Sequence, residues 1–289
     1  MSVIWGIPYL LILVAVRDLS PAVLVLGRTV IAALLLLPLA AVRGELKPLK
    51  GHWVPLLAFA AIEIAIPWVL LGTAEQHISS SLTALLIAAV PLVAAVIART
   101  TGDRERLGLT SLIGLAVGLV GVAAIVGLNL EGAGVLPLTE VALVAVCYAV
   151  GPVILQRYLA DLPALGVISA SLAVTALAYV PFALVSLPSE TPSASAVWSV
   201  VALAVVCTAI AFVLFFALIA EVGPVRATVI TYVNPAVAAL LGIAILDEHF
   251  TLGMALGFAL VLVGSALATR RPVPPEAPAT VLDPASETV

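Results

Sequence analysis

Charge is scarce in this sequence. Only 10% of its 289 residues are Asp, Glu, Lys or Arg, against about a quarter in a soluble globular domain. Aromatic residues make up 6%, and there are 2 cysteines, 2 methionines and 3 histidines. Each shortage excludes something. The 12 Lys and Arg are scattered and form no basic patch, so a nucleic-acid partner is not expected. Cys147 and Cys207 lie inside apolar runs, without metal-ligand spacing or a disulfide framework, and read as small core residues. His52, His77 and His249 fall at the ends of runs, no HExxH pair occurs, and neither Lys47 nor Lys50 lies in a run to form a Ser–Lys dyad. An intramembrane protease or lipid-modifying enzyme thus lacks its constellation. No enzyme activity, metal or cofactor is expected.

What is abundant is apolar: 63% of residues are hydrophobic and the mean hydropathy is +1.28. The apolar runs fall at 1–16, 21–42, 53–74, 79–98, 107–128, 137–158, 164–187, 196–220, 224–246 and 251–269. They are uniformly apolar and close to the length that crosses a bilayer as a helix, whereas the strands of a barrel alternate over about ten residues. The prediction is an all-α membrane protein with ten transmembrane helices. The first run, at 16 residues, is roughly 24 Å of helix against a hydrocarbon core of about 30 Å. Either the start lies upstream or the helix begins below the membrane surface. No basic segment precedes it, so it does not read as a cleaved signal.

Orientation follows from the cations. With the N-terminus inside, Arg43, Lys47, Lys50, Arg99, Arg104, Arg106, Arg157, Arg226, Arg270 and Arg271 are all cytoplasmic, ten of the twelve. Arg17 lies on an outer loop and Arg28 within the second run. Both termini are then cytoplasmic. Residues 270–289, rich in Pro, Ala and acid, read as a disordered cytoplasmic tail.

One stretch occurs twice with opposite charge. Residues 105–121 read ERLGLTSLIGLAVGLVG and residues 248–264 read EHFTLGMALGFALVLVG, so that an offset of 143 sets Glu105 on Glu248, Gly114 on Gly257 and Gly121 on Gly264. The first copy sits among Arg99, Arg104 and Arg106, the second beside Asp247 and His249. Trp5 falls on Tyr148 at the same offset, and Pro91 on Pro235 at 144. Five helices per unit invert the second unit relative to the first, and the positive-inside bias then flips the charge of the loop. The expected organisation is one repeat at 1–128 and a second, inverted, at 137–269.

Few side chains inside the runs can carry chemistry. Glu63 sits near the centre of the third run, where a carboxylate costs about 2.5–3.5 kcal/mol on insertion scales. It is either a proton-coupling group or a protonated Glu satisfied by its neighbours. Arg28 is its candidate partner, unless it snorkels to the headgroups. Glu75 and His77, in AEQHISSS, read as a solvated helix end, with gating of the outer mouth as the alternative. Glu140 and Glu221, also near run ends, read as solvated. Tyr232 and Asn234 are polar at membrane depth, either binding substrate or joining helices. Trp5, Trp68 and Tyr148 are cavity candidates beside the bland reading of packing, while Trp53 and Trp198, at run starts, suit interface anchors. Among the prolines within runs, Pro91 and Pro235 are duplicated and are the hinge candidates. Gly114, Gly118 and Gly121, with Gly253, Gly257 and Gly264, give the fifth and tenth helices small-residue faces that seat a helix of the same chain or of a second copy in a homodimer.

With Trp5-Gly6, Arg28, the Ala74–Ser81 stretch leading to Pro91, and Asn234-Pro235 followed by Leu246-Asp247-Glu248, the chain resembles the drug/metabolite transporter superfamily, of the EamA type. The resemblance covers nearly all of 1–269 as two tandem repeats. It implies a lipid-embedded secondary transporter of the cell's inner membrane, with a cavity formed by helices 1–4 and 6–9 and helices 5 and 10 peripheral. It implies a small-molecule substrate, most members exporting amino acids or other small metabolites by alternating access, with proton exchange where energised. Import or uncoupled facilitation by the same fold is equally compatible with these motifs. The chain departs from repeat symmetry at Arg28, whose aligned position holds Ala170.

Overall fold

Where the surroundings offer no hydrogen bonds, a backbone must satisfy its own, and a helix does so within one segment. Over its described residues, each of the ten predicted runs forms helix. The computed structural model describes residues 1–100, 109–127, 134–222, 230–249 and 251–268, and among them there is no strand. The first run forms α1 (Ser2–Gly6) and α2 (Pro8–Ala15), divided just before Pro8, and the second forms α3 (Pro21–Val42). The third is α4 (Trp53–Phe59) and α5 (Ile66–Ala74), joined by a π-helical turn at Ala60–Ala65. The fourth breaks at Ala88–Ala89 into α6 (Ser80–Ile87) and α7 (Val90–Thr100), and α8 spans Leu109–Gly127.

Then follow α9 (Val135–Tyr158), α10 (Ala164–Val185), and α11 (Ala194–Ala204) with α12 (Ala211–Val222). A second π-helical turn, Val205–Ile210, joins α11 to α12. The last two helices are α13 (Ile230–Leu246) and α14 (Leu252–Ala268). Among the described residues, six segments are long and apolar enough to cross a membrane: Pro21–Val42, Trp53–Ala74, Ser80–Ile97, Val135–Tyr158, Ala164–Val185 and Ala194–Glu221. The first copy of the duplicated loop and the 270–289 tail lie outside the described residues.

Polarity runs outward to apolar. Leu34, Leu119, Leu177, Leu240 and Leu252 face out, while Arg28, Thr29, Ser169, Ser171, Thr175 and Thr208 are buried. Such a distribution suits a surface that meets acyl chains. Trp53 and Trp198 are exposed at the starts of α4 and α11, and both cysteines are buried.

The helix contacts are exchanged between the halves. α3 packs on α10, and α8 on α14. α1 and α2 pack on α11 and α13, just as α9 packs on α5 and α7. The α8–α14 contact is backbone to backbone: a Cβ added at Gly121 would lie 2.7 Å from the Gly257 carbonyl oxygen, and one at Gly264 would lie 2.6 Å from that of Gly114. The small-residue faces therefore seat one another within one chain.

Carboxylates tie the halves at helix N-termini, where unpaired N–H groups and the helix dipole favour negative charge. Asp18 Oδ2 accepts from Ser193 N, at the N-cap of α11, at 2.9 Å, and Glu45 Oε2 accepts from Gly166 N, in the first turn of α10, at 3.2 Å. The bonds from Ser193 hold the Asp18 carboxyl below its ordinary range.

Two predictions follow from the packing and the caps. Gly121→Val or Gly264→Val overpacks the α8–α14 contact and lowers stability by about 1–3 kcal/mol, read as a lower midpoint in detergent thermal unfolding. A depressed carboxyl adds stability above its unfolded value and loses it as pH falls through the folded one. Asp18→Asn should therefore lower the midpoint slightly at neutral pH, and the difference should vanish in acid.

Candidate functional site

The buried charge lies where both halves meet. Ser20 caps α3, its Oγ accepting from Val23 N at 3.3 Å, and two turns on the helix carries Arg28, 8% exposed. The side chain stays inside the bundle and does not reach for a headgroup. Its Nε donates to Thr208 Oγ1 at 2.9 Å, and its guanidinium carbon stands 3.6 Å from the centre of the Trp68 ring. Stacking on the face of Trp is a strong form of cation–π contact. Tyr148, on α9, turns its hydroxyl toward Trp68. Among the described residues, the ionisable groups that bear on Arg28 are Cys207, Tyr148 and Tyr9. No carboxylate is among them.

Both π-helical turns feed this region. The first carries Glu63, whose Oε2 rests against Gly151 of α9 in a space that any Cβ would fill, and finds no hydrogen-bond partner. The second carries Thr208, which donates to the Leu203 carbonyl at 2.8 Å while accepting from Arg28. A π turn frees carbonyls from the helical ladder, and Tyr179 takes up the one at Ala65, donating at 2.8 Å. Arg28, Trp68, Tyr148 and, one shell away, Glu63 are thus gathered by α3, α5, α9 and the two π turns.

The other candidates lie apart. Trp5 packs against Phe212 and Phe215 of α12, at 5.9 and 4.7 Å between ring centres. Asn234 is partly buried on α13, where its carbonyl oxygen meets Gly6 of α1. The side chain of Tyr232 lies outside the described residues. Pro91 follows a break in the fourth run, whereas Pro235 sits inside an unbroken α13.

A second polar cluster closes one end of the bundle. Asp247 adopts a left-handed backbone, φ 53°, a conformation Asp tolerates better than most residues. The turn aims Glu248 back at the start of α6. Glu248 accepts from Ser80 N at 2.8 Å, Ser80 Oγ at 2.8 Å and Ser81 N at 2.9 Å. Beside it Glu75 is buried, 3% exposed, which corrects the reading of a solvated helix end. Glu248, from the far end of the sequence, lies near it and lines the same cavity. Neither Glu75 oxygen has a partner, although the Leu13 backbone is near, outside hydrogen-bonding geometry. His77 and Glu221 are exposed and Glu140 partly buried. A cavity of about 580 Å³ opens here, lined by Leu13, Arg17, Glu75, His77, Leu246 and Glu248. Thr208 and Gly151 carried no sequence signal, whereas Glu248 stood in the duplicated loop without a visible partner.

An all-helical bundle with polar groups gathered inside an apolar exterior defines a multi-spanning membrane protein. The EamA-like transporter family matches residues 1–127 and 138–270, and the chain belongs to that family, of the drug/metabolite transporter superfamily. It is similar to YedA of Escherichia coli K12, described as an uncharacterized inner membrane transporter, at 32% identity over 291 residues, covering 94% of this chain and 91% of that one. The YedA proteins of E. coli O6:H1 and O157:H7 match to the same extent. A crystal structure at 22% identity shares the fold with a TM-score of 0.64, covering 93% of this chain and 96% of the other.

The closed end makes a paired prediction. Glu248→Ala strips the start of α6 of its acceptor, and a lost helix cap costs typically about 1 kcal/mol, so the thermal midpoint falls. Glu75→Gln removes a carboxyl that has neither donor nor cation, and the midpoint rises or holds.

Proposed function

We propose that this protein is a ten-helix inner-membrane transporter that exports amino acids or related small metabolites by alternating access. Two five-helix repeats, 1–128 and 137–269, enter the bilayer with opposite orientation, and both termini and the 270–289 tail are cytoplasmic. Each carboxylate contact between the halves joins loops that this topology puts on one side of the membrane: Asp18 with Ser193 and Glu248 with Ser80 outside, Glu45 with Gly166 inside. That consistency supports the topology.

The observation that carries the reading is the buried group of Arg28, Trp68, Tyr148 and Glu63, assembled from both repeats at the two π turns. Trp5, Tyr232 and Asn234, apart from that group, are the further candidates for substrate contact along the path, and Pro91 and Pro235 serve the rocking of the repeats. Glu63, buried without a cation, is the proton-linked group. Since the small-residue faces are used within the chain, a homodimer would use another surface.

In proteoliposomes, Glu63→Gln should abolish efflux driven by a pH gradient while leaving counterflow of the same solute in place. Unchanged gradient-driven efflux would remove Glu63 from the coupling. Counterflow across a panel of amino acids and sugars, with and without the gradient, separates export from uncoupled facilitation.

A further inference from the structure

We propose that Arg28 is the anchor for a carboxylate group on the transported solute. The inference rests on the reading of a small-metabolite transporter and narrows its substrate class. It starts from charge. A guanidinium cannot shed its proton in a protein, and a buried ion without a counter-ion is among the most costly things a fold can hold. Arg28 is 8% exposed, and the two groups that position it are a hydroxyl and an indole ring, neither of them negative.

The chain does hold a carboxylate in the same core. It is not used. Glu63 sits on the next span with its Oε2 against Gly151, and among the described residues Tyr148 is the group that bears on both charges. Were the two there to neutralise each other, a contact between them would be the simplest arrangement. Instead the carboxyl rests against Gly151 and makes no hydrogen bond from that oxygen.

The geometry of Arg28 also favours an oxyanion. Trp68 covers the flat face, and Thr208 takes Nε. Both contacts leave the donor edge of the terminal nitrogens in the plane where guanidinium grips a carboxylate with two parallel bonds. A single negative charge balances a single Arg. A phosphate monoester, near two charges, would need a second cation, and none bears on Arg28 among the described residues. The π turn at Val205–Ile210 is what delivers Thr208 to Nε, so a departure from regular helix serves to hold the anchor in register.

The test uses the full chain in nanodiscs, with thermal stabilisation and proteoliposome counterflow as readouts. The probes are neutral amino acids, each beside its carboxamide and its decarboxylated amine, with phenyl phosphate as the doubly charged comparison. Amino acids that bind are expected to do so at least about tenfold more tightly than their amides and amines. Arg28→Lys keeps a charge but loses the planar fork, and should weaken acids about tenfold. Arg28→Gln should erase the difference between acid and amide. Only monodisperse variants are compared, and if Arg28→Gln does not fold, the Lys variant decides. An amine or phenyl phosphate that binds the parent protein as well as the acid overturns the anchor, as does a folded Arg28 variant with unchanged preference for acids. If parent and variant move amines equally and ignore acids, the transport reading stands and the anchor falls. If no solute of any class binds or moves, both fall.

Discussion

The constraint on which the rest of this structure depends is the scarcity of water around it. An apolar exterior leaves buried polar atoms to find partners within the chain, since the surrounding medium supplies none. That requirement makes every run a helix. It turns Ser and Thr hydroxyls back onto carbonyls within their own helices, as Thr29 does on Val25 and Thr73 on Val69. It also makes each unpaired ionic group conspicuous. In water Arg28 or Glu75 would pass without remark; here each marks a place where the fold accepts a cost.

The same scarcity explains how the halves are joined. Ionic contacts between them are few, and the described ones are at helix N-termini near the ends of spans. There a carboxylate meets backbone N–H groups that have no partner in their own helix. Deeper in, α8 and α14 join by shape, so close that a Cβ at Gly121 or Gly264 would have no room. Polar joints at the rims and close packing in the interior divide the work by depth. The candidate site lies between them, where Arg28 of one half bonds Thr208 of the other.

Much of the scaffold was legible from the sequence because length and hydropathy depend on near neighbours alone. The predicted run 21–42 is helix over those residues, and 164–187 is helix to Val185. The glycine face in the duplicated stretch was legible too, although its partner was not. What could not be read depended on distant parts of the chain. Thr208 lies 180 positions from the Arg28 it holds, and Glu248 lies 168 from Ser80. The burial of Glu75 escaped for the same reason, since the stretch AEQHISSS looks wet until Glu248 comes to lie near it. The π turns had no signal at all: Ala60–Ala65 precedes Pro67, but the equivalent place beyond Val205–Ile210 holds Phe212.

Those turns have a consequence for how such a span bends. A π-helical turn holds one residue more than regular spacing, so the side chains beyond it are turned by about 100° relative to those before it. The third and eighth runs are therefore each two short rods with different facing directions, welded at similar depth. A rod with a weak weld at its middle flexes there and stays stiff elsewhere. Because both repeats carry the weld, a bend in one has a counterpart of equal compliance in the other. The groups mounted on the welds, Glu63 and Thr208, therefore sit where the facing direction of the two rods changes.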